Sequence, residues 1–459
     1  MSTSGYLLER LAVAVRAASE AGASDVEVSH RGGTAGISRF ANSMLTQAGV
    51  IEEPCTRVRV AVGDRIAAAV TDALEPDALV AAAKAAVAIA AHQPATAGFP
   101  GFATASAAPL GAKEAFVAAT AAATPGDHVD ALSRIFAHAE REQLLCAGAL
   151  VTAARQIAVV TAGGLAVEHA FTEASLHLIA LDGDASGYAA FVGGDVSRLD
   201  AVALADEAVT TAASSRDAVE IEPGPYDIVL SPVAVAELLE WMAMTSFAAT
   251  TVLDGTSLLC GHQGQRVCGE EITIRDDPHV EHPSAIRLPF DAEGTPRRAV
   301  AYLDRGVAGE PATDRISAVR LHDGRGSSGH AAPLGDDLAD GPSAAHLVMS
   351  PGDASREDLL SRVERGLYVT RFHYVNGLLD TRRATMTGMT RDGTFLIEHG
   401  RLGRAVKNLR FTESILGAFG RVGGVGRDIK AVQTHMVRQV PYLCPAMLLR
   451  DFHFTGRSR

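Results

Sequence analysis

Glu364-Arg-Gly-Leu-Tyr-Val-Thr370 and, further on, Gly393-Thr-Phe-Leu-Ile-Glu-His-Gly400-Arg-Leu-Gly-Arg-Ala-Val-Lys-Asn-Leu-Arg-Phe-Thr-Glu413 decide how this chain is read. Phe395 and Ile397 alternate with Thr394, Leu396 and Glu398, and glycines at 393 and 400 stand where a tight turn or a positive φ is wanted. An antiparallel ribbon is expected there. Taken alone, a ribbon of this kind is a surface hairpin without chemistry. Its meaning depends on what continues on either side.

Outward from the ribbon, the whole chain of 459 residues is too long for one hydrophobic core and suits two or three domains. Hydrophobic residues make up 47% and charged residues 21%, a globular balance. No apolar run approaches the roughly 20 residues of a bilayer span, and Met1-Ser-Thr-Ser-Gly-Tyr-Leu-Leu-Glu-Arg10 lacks the pattern of a signal peptide. No membrane association and a cytoplasmic location are expected. Five cysteines, widely spaced at 55, 146, 260, 268 and 444, form no disulfide framework. A net charge of −13, with 41 basic against 54 acidic residues, argues against nucleic acid as a partner.

Leu7, Leu11, Val15 and Ala18 fall on one stripe of an opening helix, Tyr6 to Ala21. Strands follow from Val26, from Gly36 and from Thr56, and an alanine-rich helix follows Pro76. Gln93 to Gly111, rich in Pro, Ala and Gly, reads as a connection that crosses the surface or docks through Phe99 and Phe102. Thr124-Pro125 starts a helix well, with Thr as cap and Pro at the first helical position. A strand meander and a helix from Asp200 to Ser214 come next, and Pro223-Gly-Pro225 marks a boundary. The fold class is α+β: N-terminal α/β units with small sheets covered by helices, at 1–92 and, after a linker at 93–115, at 116–222. A mostly antiparallel β domain occupies 223–459, and the Gly-rich, acidic interval 304–353 inside it is long enough to be functional or mobile.

Familiar catalytic signatures are missing: there is neither a Gly-x-Ser-x-Gly elbow nor a phosphate-binding Gly-x4-Gly-Lys-Ser/Thr loop. Gly420-Arg-Val-Gly-Gly-Val-Gly426 reads as a turn more readily than as an anion cradle. Cys260-Gly-His-Gln-Gly-Gln-Arg-Val-Cys268, with His279 and His282 beyond, gathers soft and imidazole donors but follows no common structural zinc spacing.

From Tyr226 onward the chain resembles the TldD/PmbA family. The resemblance rests on Tyr226-Asp-Ile-Val-Leu-Ser-Pro232, Ile272-Thr-Ile-Arg-Asp-Asp-Pro278, Phe290-Asp-Ala-Glu-Gly-Thr-Pro296, Gly329-His330 and the ribbon itself. Before that point it is weak and rests on Arg39-Phe-Ala-Asn-Ser43. Family members act in pairs, in which one subunit carries a His-Glu-x-x-x-His zinc motif and the other does not. Two imidazoles on that helix ligate the metal, and the Glu serves as base for the metal-bound water.

The corresponding window here, Leu238-Leu-Glu-Trp-Met-Ala-Met-Thr-Ser-Phe247, holds no histidine. With Glu240 in the place of the catalytic Glu, Leu239 and Met244 fall at the ligand positions, and neither is a credible zinc ligand. Helix 233–247 therefore reads as a degenerate metal helix, and Cys444 as a buried thiol. The resemblance implies a TldE-like subunit without metal or catalytic residues of its own. Its partner would be a TldD-like chain that holds the zinc, and the pair would cleave small or unstructured peptides in a closed chamber. Arg39, Asn42, Ser328, Gly329, His330 and Tyr368 are the candidate contacts for an extended peptide, with the ribbon Tyr368 to Gly388 as further wall. Two alternatives stay open. One is a stand-alone metallopeptidase using Cys260, His262 and Cys268 with Glu270 or Glu271 as base, and the other is a non-catalytic peptide-binding scaffold.

Overall fold

A computed structural model describes residues 5–105, 115–333, 341–434 and 440–457. Residues 106–114 of the expected linker, and 334–340 of the acidic interval, lie outside the described residues. The first half runs α1 (Tyr6–Glu20), β1 (Asp25–Ala41), β2 (Met44–Glu52), β3 (Cys55–Val62), β4 (Arg65–Thr71), α2 (Pro76–Ala90), α3 (Ala118–Ala122), α4 (Pro125–Arg141), β5 (Leu145–Thr161), β6 (Ala166–Asp182), β7 (Ala185–Gly193) and α5 (Ala201–Ser214). Local chemistry sets many of these boundaries. Thr124 and Asp127 form a capping box on α4, the Asp200 side chain accepts the Val202 and Ala203 N–H groups at the start of α5, and Pro76 opens α2. Asn42 and Ser43, with φ of 51° and 55°, make the two-residue turn between β1 and β2.

The seven strands form one sheet in the order β4-β3-β1-β5-β6-β7, with β2 also on β1, and every pairing is antiparallel. Strand β1 is 17 residues long. Its first part pairs with β3 and its second with β2, while β5 follows its other edge from Glu27 to Phe40. Residues 1–92 and 116–222, separate units by sequence pattern, are thus two parts of one sheet. Periodicity identifies each strand but does not say whose edge it joins.

Val26, Val28, Val58 and Val60 pack with Leu7, Leu11 and Leu79 beneath α1 and α2. Leu150, Leu176 and Leu178 pack with Leu132, Ile135 and Val209 beneath α4 and α5. Side chains alternate along a strand, and Leu150 and Val160 of β5 share parity, so all four helices cover one face. The other face meets the second half of the chain: Val159 packs on Phe290, and Phe171 on Ile286 and Leu288.

That second half contains β8 (Pro225–Leu230), α6 (Pro232–Ser246), α7 (Ala249–Leu253), β9 (Ile274–Asp276), β10 (Val300–Asp304), β11 (Val307–Ala308), α8 (Arg315–Leu321), β12 (Leu347–Met349), α9 (Arg356–Ser361), β13 (Arg365–Asp380), β14 (Thr385–Glu398), β15 (Arg401–Ala405), β16 (Leu409–Ser414), α10 (Ile415–Phe419), β17 (Val422–Val432) and β18 (Tyr442–Arg457). The expected ribbon is β13 against β14, antiparallel from Arg365 opposite Glu398 to Asp380 opposite Thr385, with register shifts after Val369, His373 and Asn376. The run expected as a glycine turn at 420–426 instead opens strand β17.

An 11-stranded mixed sheet follows the order β11-β10-β9-β12-β18-β16-β14-β13-β8. Because β8 pairs with β13 on one edge and β18 on the other, the strands β8, β13, β14, β16 and β18 close a ring. Helix α6 packs against β13, β17 and β18 and is buried except along a partly buried stripe at Glu237, Trp241 and Met244, which explains its apolar residues at nearly every position. No helix among the described residues is long and apolar enough to cross a membrane.

Candidate functional site

Helix α6 stands where the resemblance places a metal site. The Ser231 side chain caps it by accepting the Val233 and Ala234 N–H groups, and Pro232 occupies its first turn. Leu238, Leu239 and Met242 are fully buried core residues, and Glu240 is 3% exposed. At the two ligand positions the helix thus offers a leucine packed in the core and a thioether. That donor set does not fit a zinc ion.

The polar chemistry of α6 lies one turn earlier, at Glu237. Its carboxylate accepts the Arg371 Nε–H at 3.1 Å and the Phe372 backbone N–H at 2.6 Å. Burial pushes this carboxyl up to about 8, against the opposing pull of Arg371. Arg371 also donates to Asp392 at 2.9 Å and lies over the Tyr188 ring at 4.3 Å, while Ser186 donates to Asp392 at 2.7 Å. Tyr188 continues the chain to His177 at 2.7 Å, and His177 to Gln433 at 2.6 Å. One network therefore joins α6, the β13–β14 ribbon and strands β6 and β7 at one end of the first sheet. It fixes the two halves of the molecule relative to each other.

Ser328 and His330 form part of a second buried network. His330 Nε2 lies 3.2 Å from Asp276 Oδ1, and its Nδ1 lies 2.9 Å from both Ser328 O and Ser328 Oγ. His346 Nε2 accepts the Leu288 N–H at 3.1 Å, which turns its Nδ1 toward Asp276 at 3.6 Å. Burial opposes ionisation of Asp276, yet His330 and then His346 hold its carboxyl well below the usual range. The order Ser328–His330–Asp276 has the donors of a nucleophilic triad without its access. Ser328 and His330 are 0% exposed, and Ser328 Oγ accepts the Thr313 N–H at 2.7 Å. Gly329 between them has φ +73°, and a Cβ there would lie 2.4 Å from Pro296 O, so this loop packs backbone to backbone on the 290–296 turn.

The other sequence candidates lie elsewhere. Arg39 is exposed on β1, and Asn42 is exposed in the β1–β2 turn, which Ser43 ties to Cys146 of β5. Tyr368 is half-buried on β13 with Arg356 over its ring at 4.9 Å. Arg39 and Asn42 belong to the first sheet, whereas Ser328, His330 and Tyr368 belong to the second half of the chain. Cys260 Sγ faces the Val252 carbonyl at 3.5 Å, His262 Nδ1 the Leu258 carbonyl at 2.9 Å, and burial pushes the Cys268 thiol up to about 12. Among the described residues no three His, Cys, Asp or Glu side chains gather as metal ligands. Cys444 is fully buried in β18.

A third polar region lies between the two halves; the run Phe290–Pro296 contributes to it, but none of the residues proposed as peptide contacts does. On the face of β1 and β3 opposite the helices, Glu27 stands across from Arg59 and Ser29 across from Arg57. Arg59 Nη1 reaches Glu27 at 3.2 Å and Glu293 of the second half at 3.1 Å, with its guanidinium over Phe102 at 5.0 Å. Burial pushes Glu27 up to about 7 despite Arg59, and burial together with Glu293 pushes Asp291 up to about 7. Asp291 accepts N–H groups from Glu293, Thr295 and Ala331 and so shapes the 290–296 turn. A cavity of about 340 Å³ opens beside this layer, lined by Arg57, Arg59, Thr250, Glu293, Asp314 and Arg320 among others. None of the residues proposed from sequence lines it. The available signal was the charge alternation Glu27-Val-Ser29 and Arg57-Val-Arg59, which marks strands equally well when the polar face meets solvent.

Residues 223–456, just over half of the chain, match the sequence model of the PmbA/TldA metallopeptidase C-terminal domain. A metalloprotease of Methanothermobacter thermautotrophicus is 27% identical over 208 residues, 45% of this chain and 44% of that protein. A zinc metalloprotease TldD homolog of Saccharolobus solfataricus is 27% identical over 146 residues, 32% of each chain. The chain thus spans less than half the length of the curated relatives it matches. Among solved structures, TldE from Thermococcus kodakarensis superposes with a TM-score of 0.86 at 18% identity, over 97% of this chain and 100% of the other. A putative modulator of DNA gyrase from Thermotoga maritima gives 0.83 at 20% identity, over 97% and 99%. At these identities the likeness is one of fold.

Proposed function

Since this chain belongs to the PmbA/TldD metallopeptidase family, we propose that it is the metal-free member of a TldD/TldE-type pair. A TldD-like chain supplies zinc and its ligands, and this chain supplies part of a closed, cytoplasmic chamber in which small or unstructured peptides are cut. The observation that carries the reading is the donor set of α6. When Glu240 is aligned with the family's catalytic Glu, Leu239 and Met244 fall where the resemblance puts the imidazoles, and Leu239 is sealed in the core. Water activation is therefore assigned to the partner. The exposed edge at β2, the Arg39 and Asn42 side chains and the β13–β14 ribbon are the surfaces this chain offers to an extended peptide.

Co-expression with a TldD-like chain tests this directly. A stable complex with zinc in one-to-one ratio to the pair, and peptide hydrolysis that neither chain performs alone, is the expected result. Stoichiometric zinc in this chain alone, together with hydrolysis of a peptide, overturns it and favours the stand-alone enzyme. Absence of any complex with TldD-like chains favours the scaffold.

A further inference from the structure

Single apolar side chains scattered over a surface are ordinary, but three large ones in one short run are not. At the far end of the β13–β14 ribbon Tyr374, Leu378 and Leu379 are 76%, 66% and 56% exposed, and no other large apolar side chain among the described residues is as open as the first two. Their support is fixed. Gly377 packs on the single tryptophan, where a Cβ would lie 3.0 Å from Trp241 Cβ. Just past the run, Thr381 Oγ1 donates to the Thr256 carbonyl at 2.7 Å and Arg382 Nη2 to the Cys260 carbonyl at 3.3 Å. The apolar groups are thus held out from an anchored tip beside the partly buried stripe of α6, which lowers the ordering cost of docking.

Two features decide what kind of partner the tip fits. The register shifts after His373 and Asn376, and the N–H groups of Phe372 and Leu378 are taken by Glu237 at 2.6 Å and by Asn376 Oδ1 at 2.9 Å. This end of the ribbon therefore meets a partner through side chains rather than by accepting a further strand. Charge is the second feature. Residues 356–459 hold 18 basic and 9 acidic side chains, in a chain whose net charge is −13. At the tip, Asp380 is occupied by the Arg383 N–H at 3.2 Å and its guanidinium at 3.9 Å, whereas exposed Arg382 has no ion pair among the described residues. An identical tip would set cation against cation, which disfavours a two-fold pairing of this chain with itself. The complement is a folded surface with an apolar recess and an acidic rim.

We propose that the tip Tyr374–Leu379 is the docking surface for the zinc-carrying TldD-like subunit, with its three apolar side chains seated in a recess of that subunit and Arg382 against carboxylates at the rim. Its place beside α6 suits a partner that brings the metal this helix cannot hold. The assignment rests on the pairing proposed above and adds which face of this chain is joined.

The probe is a TldD-like chain from the same organism, purified with zinc and titrated against this chain by sedimentation. Tyr374→Lys and Leu378→Lys should each weaken the complex at least tenfold, and Arg382→Glu at least threefold with a shallower salt dependence. Val70→Lys, at an equally open position (63% exposed) on edge strand β4 of the first sheet, should leave the affinity unchanged. Unaltered Trp241 emission verifies that the tip variants keep their fold, because Gly377 lies on the indole. A complex that forms with the unaltered chain and is indifferent to all three tip substitutions overturns the docking surface and leaves the pairing intact. No complex with the unaltered chain overturns both. Self-association of this chain that Leu378→Lys abolishes gives the tip to a second copy and also overturns the assignment.

Discussion

Replacing Arg59 with methionine removes the one guanidinium that joins Glu27 of the first sheet to Glu293 of the second half. Both acids are nearly sealed, at 0% and 2% exposure, and the bonds are 3.2 and 3.1 Å long. Methionine keeps the apolar stem but leaves two carboxylates facing each other in the interior. Breaking a buried pair in this way costs about 3–5 kcal/mol. Loss of the guanidinium from above Phe102 adds roughly 0.5–1 kcal/mol. Proton uptake moderates the loss. Native Glu27 sits at about 7 against an ordinary 4.5, so the folded state holds a proton that the unfolded state releases between those values. Its contribution to stability is therefore full below 4.5 and declines as pH rises toward 7. Without Arg59 the carboxyl moves higher still, and the decline continues past neutrality. The cost of Arg59→Met should consequently be smaller at pH 5.5 than at pH 8, by on the order of 1–2 kcal/mol at about 1.4 kcal/mol per pKa unit. Urea unfolding followed by circular dichroism at both pH values measures this. Adding Glu27→Gln should recover part of the loss at pH 8. A cost below about 1 kcal/mol at pH 8, or a larger cost at pH 5.5, refutes the role given to Arg59.

Three further outcomes are expected. Asp276→Asn deprives His330 and His346 of their shared carboxylate and should cost about 3–5 kcal/mol at pH 7. Because the native Asp276 carboxyl is depressed, its contribution is present above the ordinary 3.8 and fades as pH falls below it, so the variant should also show a shallower acid-unfolding curve. Leu239→Ala empties a fully buried position of α6 and should cost about 2–5 kcal/mol; the single tryptophan, Trp241 on the same helix, provides a fluorescence readout of the repacking. Gly393→Ala forces a Cβ into a φ of +117°, 2.7 Å from Thr211 Cγ2, and should lower stability by roughly 1–3 kcal/mol in a thermal melt.

The ribbon, the helix boundaries at Thr124, Asp200 and Ser231, and the lack of imidazoles on α6 are all legible in the sequence because each is a local pattern. Phe102 docking is legible too: its side chain is 3% exposed and edge-on to Phe99 at 5.1 Å. What is hidden is anything decided by a distant partner. The alternation of Glu27 and Arg59 with valines identifies strands, but only the 290–296 turn, far along the chain, makes their polar face an interior one. The sharing of β1 between the two N-terminal units is hidden for the same reason. His330 shows how a correct landmark can mislead about its role. Gly329-His330 is where the resemblance places it, yet the imidazole serves Asp276 and the interior rather than a surface.

The ring formed by β8, β13, β14, β16 and β18 also has a consequence for biosynthesis. Its opening strand, Pro225–Leu230, is translated before the other four, and one of its two neighbours, Tyr442–Arg457, is translated last among the described strands. Until then the nascent chain displays an unpaired strand edge beside an apolar helix, an arrangement prone to capture by other nascent chains. Ribosome stalling or nonsense truncation within the final strand should therefore yield material recognised by chaperones and proteases rather than a slightly shortened native protein.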